Sequence, residues 1–155
     1  DPDALRYPFS VKPDNPLTVQ DVMAMHRDAY EGTEFDITED PAWYVNEKKS
    51  PMANPHGPRD LHRLLDLSPE RVIATSASVM SYVSQVHSDL PNPIKGCLWF
   101  GFGPPQATCY VPIYSGVTKL PAEWGHTNWL KLDEKGDVLG TYAPFDLLVT
   151  IASRP

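Results

Sequence analysis

Basic residues are scarce. The chain carries 13 Lys and Arg against 20 Asp and Glu, for a formal net charge of −7. A nucleic-acid surface needs a basic stripe to neutralise phosphates, and this balance argues against that class of partner. Long apolar runs are missing too: no stretch approaches the ~18 uninterrupted residues that would read as a membrane-crossing helix. Only two cysteines occur among 155 residues, and they form no Cys-x-x-Cys pair. The five histidines, His26, His56, His62, His87 and His126, never fall at the i, i+4 spacing of a helical zinc motif. No metal or cofactor is therefore expected. The first residues lack the basic and apolar regions of a signal peptide, and location is left open.

Proline, in contrast, is plentiful. Seventeen in 155 is about 11%, roughly twice the ordinary share. The prolines lie between periodic segments rather than in one tract, which implies many turns and short strands. With 41% hydrophobic and 21% charged residues, the chain suits one domain, or part of one, that buries roughly 70% of its unfolded surface.

Thr18, followed three residues later by Asp21, opens a helix in the manner of a capping box, with Pro16 just outside it. Val19, Val22, Met23, His26 and Tyr30 then recur at helical spacing, and Gly32 suits a left-handed stop, so a helix is expected over about 18–31. Its Val/Met stripe should face a sheet, with His26 a hydrogen-bonded core histidine. Residues 33–69, broken by Pro41, Pro51, Pro55, Pro58 and Pro69, read as a long excursion with a helical turn or two over Leu61–Leu67. Loops of that length in compact domains usually act as lids or binding loops, or pack on something else.

Residues 71–151 read as strands. Arg71–Val86 forms one bent strand, or two with a corner near Ser76–Ser78. Ile94–Phe102 and Ala107–Tyr114 form a hairpin, and Val138–Tyr142 and Phe145–Ile151 are further candidates. In a tight hairpin, one of the two registers sets Cys97 opposite Cys109, and the other puts them on opposite faces. Both a bridge and two buried thiols stay open, the thiols being favoured. One helix followed by several strands describes an α+β protein or a part of one.

Three constellations could carry chemistry. Glu31, Glu34, Asp36, Glu39 and Asp40 form an acidic set without the pattern of a calcium loop, and a solvated loop is the simpler reading. Gly101-Phe102-Gly103 is too short for a phosphate cradle, and prolines follow where a helix should start. Asn54-Pro55-His56-Gly57-Pro58-Arg59 is the most chemical. An Asn amide can donate to an oxyanion and an Arg can grip a carboxylate bidentately, although a plain proline turn also explains the segment.

The string Arg27-Asp28-Ala29-Tyr30-Glu31-Gly32-Thr33-Glu34-Phe35-Asp36 resembles the dipeptidase A group of N-terminal-nucleophile cysteine peptidases, to which the secernins are related. Val19-Gln20-Asp21-Val22-Met23, Ala53-Asn54-Pro55-His56, Tyr82-Val83-Ser84-Gln85 and the hairpin from Gly96 to Gly116 carry the same resemblance. It spans about Tyr7 to Pro121; beyond Trp124 only composition speaks. The resemblance implies an αββα sandwich of two antiparallel sheets with helices outside. It also implies dipeptide hydrolysis by a cysteine whose own α-amino group is the base. It places Asn54, His56 and Arg59 where the family has an Asn-Pro-(Tyr/His)-Arg stretch, and here Gly57-Pro58 stands before the arginine. These three are the expected substrate-binding residues.

The family's nucleophile opens its mature chain, whereas this chain opens with Asp1. No catalytic residue is therefore expected within these 155 positions. The expectation is a portion of a cysteine dipeptidase, inactive alone, that binds small peptides and partners either a preceding segment of the same protein or another copy. The alternative is a non-catalytic binding or interaction domain on the same scaffold. The first predicts open sheet edges and exposed apolar surface, the second closed edges.

Overall fold

A computed structural model of the chain describes residues 8–57, 59–67, 71–125 and 134–135. The capping signal is realised. Helix α1 spans Val19–His26, and the backbone N–H of Thr18 donates to Asp21 Oδ2 (2.7 Å) while Asp21 N–H donates to Thr18 Oγ1 (3.2 Å). These two bonds satisfy two of the donors that a helix start leaves without partners.

The helix stops earlier than its periodicity suggests. Arg27 N–H turns back to Ala24 O, and Asp28 Oδ1 accepts the N–H of Tyr30, whose φ is +64°. A short carboxylate that bonds the backbone two residues ahead competes directly with helix continuation. Gly32, also left-handed at φ +72°, therefore shapes the next turn rather than the helix end.

The excursion after Gly32 has its own small core. Two 3-10 turns, Ile37–Glu39 and Pro41–Trp43, are each capped by an aspartate: Asp36 Oδ1 accepts from Thr38 N–H and Asp40 Oδ1 from Ala42 N–H. A two-stranded ribbon follows, β1 (Tyr44–Val45) and β2 (Lys48–Lys49), turned through Asn46 and Glu47 at φ +50° and +64°. Positive φ at both central residues matches the twist of a tight hairpin. Trp43 is almost wholly buried with Ile37 and Leu67, and its indole N–H donates to Ile37 O at 2.9 Å. Helix α2, Arg59–Leu64, adds Leu61 to this cluster. It begins two residues before the helical turn expected from the sequence.

The main sheet is a three-stranded antiparallel meander: β3 (Met80–Val86), β4 (Gly96–Phe102) and β5 (Val111–Tyr114), with a one-turn helix α3 (Asn92–Lys95) between the first two. Of the expected strand over Arg71–Val86, only the second half pairs; the first half bends, and Ala74 N–H bonds back to Asp28 O at 2.9 Å. The second hairpin also departs from expectation. Cys97 lies opposite Tyr114, not Cys109, because residues 103–110 form a loop instead of continuing the strand. Cys97 is buried and Cys109 exposed, both as free thiols, so no bridge joins them in this structure and only one thiol is buried.

Helix α1 contacts β3. Along the strands, Ser81, Val83 and Gln85 share one face with Gly101, Trp99 and Cys97, and buried Val83 and Met23 lie on this helix side. The other face carries Met80, Tyr82, Phe100, Phe102 and Val111. Trp124 covers Phe100 and Phe102 at centroid distances of 5.9 and 5.1 Å, whereas Met80, Tyr82 and Val86 stay more than half exposed. The architecture is thus α+β with antiparallel sheets. The strand candidates Val138–Tyr142 and Phe145–Ile151 lie outside the described residues.

Candidate functional site

The proline-rich segment forms an ordered turn. Asn54 Oδ1 accepts the backbone N–H of His56 at 2.8 Å, and Asn54 O accepts that of Gly57 at 3.1 Å. Asparagine mimics a backbone turn in this way. With its oxygen committed to the chain, the Asn54 amide nitrogen is the end that can donate to a ligand.

Two imidazoles meet this turn. His62, on α2, is buried and packs edge-on against Trp43 at 6.1 Å. Its Nε2 lies so near Gly57 that a Cβ there would sit 3.1 Å away. Glycine is what permits this approach. His62 Nε2 and His56 Nδ1 are both buried without a hydrogen-bond partner among the described residues. Burial also pushes His56 below the usual histidine pKa, opposed more weakly by Glu31. Neutral imidazole offers one donor and one acceptor, and a buried nitrogen left unmatched favours any small polar group that reaches it. Asn54 and His56 therefore share one turn, and Arg59 begins α2 just after it. His62 was not singled out from sequence, because its approach to Gly57 depends on how α2 packs.

A second polar constellation joins the helix to the sheet. Ser81 Oγ donates to Tyr110 Oη at 2.8 Å, and Tyr110 Oη lies 3.2 Å from His26 Nδ1. The Arg27 guanidinium sits 5.2 Å from the Tyr110 ring centre, and its N–H groups donate to Pro105 O (3.1 Å) and Thr108 O (3.3 Å). Arg27 thereby holds the loop that displaced β5. Beside it opens a cleft of about 440 Å³, lined among others by His26, Ser78, Ser81 and Pro105. In the same loop, both ends of the Gln106 amide and the Thr108 hydroxyl are buried without partners among the described residues. His26 is hydrogen-bonded on the inner face of its helix, as its position suggested. No sequence spacing links it to Ser81 or Tyr110.

Three residues of the acidic set are structural. Asp36 and Asp40 cap turns, and Glu39 accepts from Lys49 Nζ and Tyr44 Oη, each at 2.6 Å. Hydrogen bonds from Gly32 and Thr38 hold Asp36 below the usual carboxylate range, and those from Lys49 and Tyr44 do the same for Glu39. Among the described residues no three His, Cys, Asp or Glu side chains cluster as a metal site. Burial raises the Cys97 thiol, and a raised thiol is a poor nucleophile at neutral pH.

Comparison with known proteins decides the family. Peptidase family C69 matches residues 1–135, most of the chain. The chain belongs to that family. The C69 match runs past Pro121, where the likeness read from the sequence fades, and it covers both constellations.

Curated relatives carry concordant names. A "Probable dipeptidase" of Latilactobacillus sakei is 26% identical over 117 residues, which is 76% of this chain and 20% of that protein. "Dipeptidase A" of Lactobacillus helveticus is 30% identical over 64 residues, 41% of this chain and 14% of that protein. "Probable dipeptidase B" of Lactococcus lactis subsp. lactis (strain IL1403) is 24% identical over 158 residues, 97% of this chain and 29% of that protein. The C69 chain thus spans less than a third of each of these relatives. No solved structure matches it.

Proposed function

We propose that this chain is the part of a C69 cysteine dipeptidase that supplies sheet and substrate pocket, and that the nucleophilic cysteine lies in polypeptide outside it. The C69 match over residues 1–135 carries the reading, together with relatives named as dipeptidases. The cysteines support it from the other side. The Cys97 thiol is buried and its pKa raised, and no described histidine hydrogen-bonds to Cys97 or Cys109. An internal cysteine nucleophile needs a base within hydrogen-bond reach.

In this reading the chain contributes part of one helix layer and part of the sheet layer beneath it in an αββα sandwich. Helix α1 packs against β3 on one face of the sheet, and the half-exposed apolar residues Met80, Tyr82 and Val111 on the other face are where a second sheet would pack. Asn54, His56 and Arg59 bind the dipeptide. The Asn54 amide nitrogen donates to a developing oxyanion or to the peptide carbonyl. His56, kept neutral by burial, offers its unmatched nitrogen to the peptide, and Arg59 pairs with the free carboxylate. Among the described residues β3 has no partner on its outer edge and Met80, Tyr82 and Val86 stay exposed, which counts against a self-contained binding domain, for which closed edges are expected.

The test is dipeptide hydrolysis followed by chromatography of the released amino acids. The 155-residue chain alone should release none. A longer C69 polypeptide containing this segment should be active, and Asn54→Ala or Arg59→Ala should lower its kcat/KM by about 10²-fold or more. Turnover by the isolated chain, or full activity in both variants, would overturn the proposal.

A further inference from the structure

The last residue of α1, the second residue of β3 and the loop before β5 meet at one corner. There Ser81 Oγ donates to Tyr110 Oη at 2.8 Å, and Tyr110 Oη lies 3.2 Å from His26 Nδ1. A phenol carries a single proton. With the serine hydroxyl donating to its oxygen, that proton is directed at His26 Nδ1, which is then the bare, accepting nitrogen of the ring. His26 is thereby held as the Nε2–H tautomer, because the bond made by one ring nitrogen sets the state of the other. Its Nε2–H is the donor that the ring still has to offer. The same imidazole lines the cleft of about 440 Å³ beside this chain of bonds.

The rest of the lining gives the cleft two characters. Ser78 and Ser81 add hydroxyls, while Ile73, Met80 and Pro105 supply apolar wall. No acidic side chain lines it among the described residues, and the Arg27 guanidinium stands 5.2 Å from the Tyr110 ring centre. Donors beside a positive charge select an anionic acceptor, and the apolar wall selects a hydrocarbon group. We propose that this cleft binds a small carboxylate with a branched apolar tail. One carboxylate oxygen accepts from His26 Nε2–H and the other from the Ser78 hydroxyl, with the tail against Ile73 and Met80. Tyr110 is a positioning residue: it reaches the ligand only through the tautomer that it imposes on His26. The site uses none of Asn54, His56 and Arg59, and the inference does not depend on the proposed hydrolysis.

Long-range proton–nitrogen NMR of the 155-residue chain, above the histidine titration range, tests it with 4-methylpentanoate and its neutral amide as probes. The wild type should show His26 protonated at Nε2 and bare at Nδ1. 4-Methylpentanoate should shift His26 Nε2 and the backbone amides of residues 78–82 saturably, while those of residues 54–57 stay in place. 4-Methylpentanamide, of the same shape without the charge, should bind about tenfold more weakly or worse, since hydrogen bonds to an ionised acceptor are the stronger ones. His26→Ala and Ser78→Ala should each weaken the carboxylate by a similar factor. Tyr110→Phe keeps the ring, and should let both His26 tautomers appear while weakening the carboxylate. A merely structural phenol would leave the tautomer as it was. An Nδ1–H tautomer in the wild type would overturn the proposal. So would equal binding of acid and amide, or the lack of any saturable shift.

Discussion

Tyr110 Oη stands 3.2 Å from Nδ1 of His26, across 84 positions of sequence, and takes the Ser81 hydroxyl at 2.8 Å from its other side. One phenol thus joins helix α1, strand β3 and the loop before β5. Tyr110→Phe keeps the ring under Arg27 but strips the link from His26 and Ser81, both half-buried. The expected loss is about 1–3 kcal/mol in urea unfolding. Ser81→Ala in the Tyr110→Phe background should cost little more, since the shared bond is already gone.

Thr18→Ala removes the hydroxyl that accepts Asp21 N–H. Stability should fall by about 1 kcal/mol. Thr18→Ser, which keeps the hydroxyl, should recover most of it in the same thermal melt.

Trp43→Phe leaves the Ile37 carbonyl without the indole N–H that it accepts at 2.9 Å. A cost of about 1–3 kcal/mol is expected. Hydrogen exchange should rise in residues 36–67 while the β3–β4 amides change little, because the Trp43 cluster is a core of its own.

Burial depresses the His56 pKa. The unfolded chain therefore takes up a proton before the folded one does. Stability tied to this group is fully present above the unfolded value near 6.5 and is lost as pH falls below it through the folded value. Urea unfolding between pH 7.5 and 5 should show this loss in the wild type and a flatter profile in His56→Gln. The hydrogen-bonded carboxylates Asp21, Asp36 and Glu39, all held below their usual values, titrate at lower pH and leave that window clear.

Local chemistry was legible and distant chemistry was not. The Thr18–Asp21 box needs residues only three apart and was read directly, as was the turn at Asn54. The helix end was misplaced because Gly32 carries a strong stop signal, whereas Asp28 acted first by bonding Tyr30 N–H. The hairpin was read as tight because Gly101-Phe102-Gly103-Pro104-Pro105-Gln106 looks like a turn. Arg27, remote in sequence, instead holds residues 103–110 as a loop through Pro105 O and Thr108 O. The place of His62 beside the turn was not legible for the same reason, since only the packing of α2 brings its ring to Gly57.

Composition and short-range order, then, set by themselves the acidic balance, the mixed helix-and-strand character, the capped helix start and the family of the chain. Those features depend on residues within a few positions of one another or on sums over the whole. The pairing of Cys97 with Tyr114 and the meeting of His26, Ser81 and Tyr110 were decided only on folding. Each depends on closing long loops, and loop closure is governed by the competition among all contacts at once rather than by any local pattern.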